Sequence, residues 1–267
     1  MEKLKETIVE LHYLHYIAKK FNHMVSYRPD TWKVFKPSRF LYSYFAFNSL
    51  CNYNWDDSIS NGKEVKYDYY DNHANEYKKI ENMTSFIFAV FDYKIDSSYF
   101  GEKILSQFLV NKVKNKPKSE NEKKEEEEDM KKILRGIETE LRNNIKDLNK
   151  IYFKPEEERS KTEINFYSKL EHFIKFFELI FTRKETEKKI NKDVIGRNQL
   201  NEMLHFISLV RNNIFHGSKN IIAMAKSEQV KRLEIYSSIL IATNELLFES
   251  LERKLKFELH KTYTIRI

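Results

Sequence analysis

The segment from Leu209 to Gly217 (Leu-Val-Arg-Asn-Asn-Ile-Phe-His-Gly) closes an apolar helical pattern with a polar cluster. Leu209, Val210 and Ile214 can face a core, but Arg211, Asn212 and His216 have no packing reason to sit together. Arginine offers a planar, permanently charged fork that matches phosphate oxygens. Histidine titrates near neutral pH and suits proton transfer in either direction. Asn212 is placed to orient the histidine or a phosphate oxygen, and Gly217 is well placed to end the helix in the left-handed region.

Arg211 and His216 are five positions apart, so on an unbroken helix they point about 140° away from each other. Either the helix breaks near His216 and swings its ring round, or the site is assembled between two chains. Chance alone supplies roughly 0.3 such pairs in a chain with 11 arginines and 8 histidines, so the flanking residues carry the argument. The string Arg-Asn-Asn-Ile also occurs at Arg142–Ile145, but Asp147 stands there where the later copy has His216, and the echo reads as chance. Arg253 and His260 form a looser pair that reads as surface charge.

Helices are expected to position these groups. Only 5 Gly and 4 Pro are present, which favours long helices over short strands joined by tight turns. Residues 2–21 read as an amphipathic helix, and 27–37 as a loop carrying two prolines. Ser38 reads as the N-cap of a helix through Phe40, Tyr44, Phe47 and Leu50. Residues 52–72 are polar and turn-rich, and further helices are expected over 74–93, 100–113, 161–182, 198–215 and 225–259, the last with one broad apolar face. Between 111 and 130 lies a charged linker or insertion that passes Pro117 and the acidic run Glu125–Asp129, and a helix then continues through Ile133 and Ile137. The reading is a single all-α domain over 1–267, a helical bundle with an N-terminal helical extension at 1–37.

An arginine five residues before a histidine, with Asn beside the arginine and Gly after the histidine, resembles the HEPN ribonucleases, most closely their bacterial toxin- and defence-related members. The early run Arg39-Phe-Leu-Tyr-Ser-Tyr-Phe-Ala-Phe-Asn-Ser-Leu50 and the helix after the motif, 227–251, are similar to that family's layout. The resemblance covers roughly 38–55 and 200–255. It implies a HEPN-type bundle and a metal-independent endoribonuclease in which Arg211, Asn212 and His216 are catalytic. RNA brings its own nucleophile, the 2′-OH, and cleavage leaves a 2′,3′-cyclic phosphate. One histidine cannot be base and acid within a single turnover, so the resemblance implies a homodimer. Where some toxins of this fold carry a tyrosine two residues after the histidine, this chain has Ser218.

Other residues take secondary roles. Asn48 ends an aromatic run and either faces the groove or bonds between helices, while Asn213 and Lys219 are candidate RNA contacts. Tyr42, Tyr44, Phe45 and Phe47 read as core, whereas Tyr53 or Trp55 could stack on a base at the groove rim. His12 and His15 are too irregular for a ligand pair, and His172 and His205 read as hydrogen-bonded core or boundary residues. No cofactor and no metal cluster is expected.

Bulk properties agree with a polyanion partner without requiring one. The formal charge is +7, and hydrophobic residues make up 41%, enough for a sizeable core. Cys51 is the single cysteine, which excludes an internal disulfide framework. The charged N-terminus lacks the apolar stretch of a signal peptide, and no apolar run reaches the ~18–20 residues that span a bilayer. A soluble, cytoplasmic protein with RNA and an antitoxin or other regulatory partner is expected. The alternatives are a HEPN module that binds RNA or a nucleotide without cutting, and a helical interaction scaffold.

Overall fold

A computed structural model describes residues 1–23, 32–67, 75–109, 161–181, 194–215 and 227–257, with isolated positions between 121 and 143 and Leu259. The chain is all-α. The helices whose bounds are described are α1 (Glu2–His23), α2 (Trp32–Cys51), α3 (Trp55–Asn61), α4 (Glu76–Val90), α5 (Ser97–Leu109), α6 (Lys161–Phe181), α7 (Arg197–Phe215) and α8 (Ser227–Leu255). Among the described residues none of these helices is long and apolar enough to cross a membrane.

Helix α8 is the axis of the bundle, in contact with α1, α2, α4 and α5. Ile235 to Asn244 are buried without interruption, so this stretch is covered on all sides and not along the one broad face its periodicity suggests. Small hydroxyl residues make that possible, because they let neighbouring backbones approach and satisfy themselves locally. Thr243 Oγ1 donates to the Ile239 carbonyl at 2.9 Å, and Ser237 meets Ser43 of α2 at 2.6 Å between hydroxyl oxygens. Helix α1 buries Leu4, Ile8, Leu11, His15 and Ala18 at helical spacing against α2 and α8, and so belongs to the bundle.

Several local expectations are corrected. Helix α2 begins at Trp32, so Ser38 is not its N-cap and Pro37 lies inside it. Proline there forfeits one backbone hydrogen bond in an early turn, a loss that the packing of the following Phe40, Tyr44 and Phe47 outweighs. The turn-rich stretch after Cys51 contains α3. Asn54 caps it by accepting from Asp57 N, and Gly62 ends it at φ 61°, a left-handed conformation that costs glycine nothing. Two residues, Ile95–Asp96, pair antiparallel with Val194–Ile195 and pin the start of α5 to the start of α7. Such a short pair leaves no alternation for sequence reading to detect.

The linker at 111–130 lies largely outside the described residues; Glu125, Glu128 and Asp129 within it are helical and exposed. Ile137 beyond it is buried in the core.

Candidate active site at the α2–α4–α7 junction

Helix α7 buries Leu200, Met203, Leu204 and Ile207, which fixes its rotation. His205, Ser208 and Arg211 follow one another at three-residue steps, with Asn212 next to Arg211, and meet side chains of α4 and α2. Asn75 caps the start of helix α4, its side chain accepting from Lys78 N at 2.9 Å. Glu76 follows in the first turn, where a carboxylate also complements the helix dipole.

These starts and faces converge on Arg211. Its Nη2 donates to Glu76 Oε1 at 2.5 Å and to the Tyr44 hydroxyl oxygen at 3.0 Å. Its Nη1 donates to Asn212 Oδ1 at 2.5 Å. The guanidinium carbon stands 4.6 Å from the centroid of the Tyr44 ring, so the aromatic face supports the cation as well. Tyr44 in turn donates its hydroxyl proton to Glu76 and lies 3.1 Å from Ser208 Oγ. Burial, and then the Glu76 carboxylate, push the Tyr44 phenol far above its ordinary value, so it stays protonated and acts as a donor. Arg211 and Glu76 keep 22% and 31% of their side-chain surface exposed, which leaves the ion pair within reach of a ligand from solvent.

Farther back along α7, His205 is buried and stacks on Tyr77 of α4 with ring centroids 3.9 Å apart and planes 6° from parallel. Burial and the nearby Lys169 ammonium lower its pKa to about 4, and among the described residues its Nε2 atom has no hydrogen-bond partner. His205 is therefore a buried, stacked residue whose Nε2 makes no hydrogen bond among the described residues, where its apolar helix suggests a hydrogen-bonded one.

Of the residues singled out from sequence, the neighbours Arg211 and Asn212 are joined by a hydrogen bond between their side chains. Asn213 lies in the last turn of α7, but its side chain falls outside the described residues, as do His216, Ser218 and Lys219 and the decoy arginine at 142. Asn48 is half-buried, one helical turn beyond Tyr44 on α2. Tyr53 and Trp55 are buried, Trp55 with its indole N–H donating to the Leu50 carbonyl at 3.1 Å, so neither forms a stacking rim. Arg253 lies over the Phe91 ring, 4.3 Å from its centroid.

Sequence reasoning missed Glu76, Tyr77 and the polar role of Tyr44. The Asn75-Glu76 pair does carry a helix-start signal, but nothing in it says which cation the carboxylate will meet. Among the described residues no group of three or more His, Cys, Asp or Glu side chains could hold a metal ion.

The fold and this junction define an all-α bundle that presents a clamped, partly exposed arginine beside the end of a helix. No protein-family model matches the chain, and no curated protein or solved structure matches it significantly.

Proposed function

We propose that this protein is a metal-independent endoribonuclease of the HEPN class, with Arg211, Asn212 and His216 at its active site. The observation that carries the reading is the clamping of Arg211. Three hydrogen bonds and an aromatic face fix its guanidinium on the shoulder of α7, four residues before the helix's last described position. A cation held this way costs no reorganisation when negative charge develops on a phosphate. The Arg-Asn-Asn-x-x-His-Gly run and its resemblance to the HEPN ribonucleases supply the rest.

On this reading an RNA 2′-OH gives its proton to one His216 imidazole as its oxygen attacks the adjacent phosphorus. The P–O5′ bond breaks, and a second imidazolium returns a proton to the leaving 5′-oxygen. The products are a 2′,3′-cyclic phosphate and a 5′-hydroxyl. Arg211 stabilises the phosphorane oxygens, and Asn212 orients the fork through its own carbonyl oxygen. Two imidazoles in opposite protonation states are supplied by a homodimer. The protein acts on RNA in the cytoplasm, and an antitoxin or other regulatory partner holds it in check.

The test is incubation of the full chain with total RNA in EDTA. Cleavage with 2′,3′-cyclic phosphate ends, abolished in His216→Ala with the fold intact by circular dichroism, is expected. Full activity in His216→Ala, or cleavage that needs added magnesium, overturns the mechanism.

A further inference from the structure

Beside the clamped arginine stands an aromatic platform that the proposed chemistry does not use. Tyr77 is 43% exposed although one face of its ring is covered by His205. The supporting imidazole is buried and, with its pKa lowered to about 4, uncharged at neutral pH. A near-parallel partner on one side fixes the tyrosine ring in place before any ligand arrives, which lowers the ordering cost of stacking on it. The residue preceding it, Glu76, is the one that pairs with Arg211. His205 and Arg211 are six residues apart on α7, about 9 Å along the axis and about 120° around it, and the consecutive Glu76 and Tyr77 of α4 reach both. Lys169 of α6 places its ammonium over the Tyr77 ring, 5.7 Å from the centroid, while pairing with Glu202, so a base that stacks here also meets positive charge.

We propose that Tyr77 is a substrate-binding residue that stacks on a nucleobase of single-stranded RNA next to the phosphate held by Arg211. This rests on the ribonuclease reading for the identity of the ligand. Stacking on an aromatic face is sequence-tolerant, because every base has a π face, so Tyr77 contributes affinity and register more than base identity. The ring, not the hydroxyl, does this. His205 acts through Tyr77 as a positioning residue.

The test uses the full chain and a short 2′-O-methyl RNA that carries 2-aminopurine and lacks the nucleophile. Tyr77→Phe is expected to bind within about twofold of the unaltered protein, and Tyr77→Ala about tenfold more weakly with loss of 2-aminopurine quenching. Tyr77→Leu keeps a cover over His205 but has no π face. It is expected to behave like Tyr77→Ala, and it serves if the alanine variant does not fold. On cleavable RNA the Leu and Ala variants raise KM and leave kcat unchanged. The proposal is overturned if Tyr77→Leu binds as tightly as the unaltered protein, if Tyr77→Phe loses as much as Tyr77→Leu, or if the unaltered protein does not bind the RNA. The two readings fail separately. Weakened binding in Tyr77→Leu without any cleavage by the unaltered protein removes the ribonuclease and keeps the stacking. His216-dependent cleavage with normal KM in Tyr77→Leu removes the stacking and keeps the ribonuclease.

Discussion

Two places in this bundle concentrate polar side chains, and they treat charge in opposite ways. At the α2–α4–α7 junction Arg211 meets Glu76 with both side chains partly open to water. Between α1 and α8, His15 is 3% exposed, its Nδ1 lies 3.4 Å from Asn244 Nδ2, and Phe248 packs against it with ring centroids 5.4 Å apart. Burial there, followed by the neighbouring His12 and Lys19, lowers the His15 pKa to about 3, so the imidazole is uncharged at neutral pH. Asn244 is fully buried, and among the described residues its Oδ1 has no hydrogen-bond partner. The charge of this layer stays at the periphery, where Lys19 and Gln107 meet Glu245 at 2.5 and 3.1 Å. A sealed polar layer constrains how helices pack, whereas a paired but partly solvated cation can also receive a ligand. The difference separates a structural cluster from a candidate site without reference to residue type.

Arg211→Lys offers the largest expected effect and the most direct way to break the comparison. It keeps the charge but loses the fork that reaches Glu76, Tyr44 and Asn212 together. Cleavage is expected to fall on the order of a hundredfold or more, while thermal stability changes by about 1 kcal/mol or less. A large stability loss with a proportionate activity loss would make the junction as structural as the α1–α8 layer.

Acid should find the sealed layer next. The unfolded His15 takes up a proton near its ordinary value of 6.5, whereas the folded one resists until about 3. Its contribution is therefore complete above about pH 6.5 and declines as pH falls towards 3, by a few kcal/mol in order of magnitude. His205, at about 4, adds in the same direction. Thermal unfolding between pH 7.5 and 4 should show a shallower acid loss for His15→Leu than for the unaltered chain. Parallel profiles would mean that the imidazole is already hydrated in the fold.

The smallest effect sharpens the junction itself. Tyr44→Phe keeps the ring under the guanidinium but removes the hydroxyl that joins Glu76, Ser208 and Arg211. A stability loss of about 1 kcal/mol is expected, with a cleavage defect smaller than that of Arg211→Lys. Unchanged kcat and KM in this variant would show that Glu76, Asn212 and the aromatic face orient the arginine without the hydroxyl.

What the sequence determined by itself was local. Scarce glycine and proline and 3.6-residue periodicity placed most helices within a few residues, and one late helix was marked as carrying Arg211 and Asn212 beside each other. It misplaced the start of α2 and passed over α3, where packing outweighed a proline in the first case and a short capped turn lacked periodicity in the second. Only the tertiary structure decided which groups meet. Glu76 reaches Arg211 across 135 residues, Tyr44 across 167, and neither spacing leaves a trace in a linear pattern. The same holds for aromatic roles: Trp55 and Tyr53 are buried, while Tyr77 is exposed on a buried imidazole. Periodicity reports how a helix faces its own core. Which side chain stands opposite a given cation depends on how separate helices rotate and dock, and that is settled by packing between them.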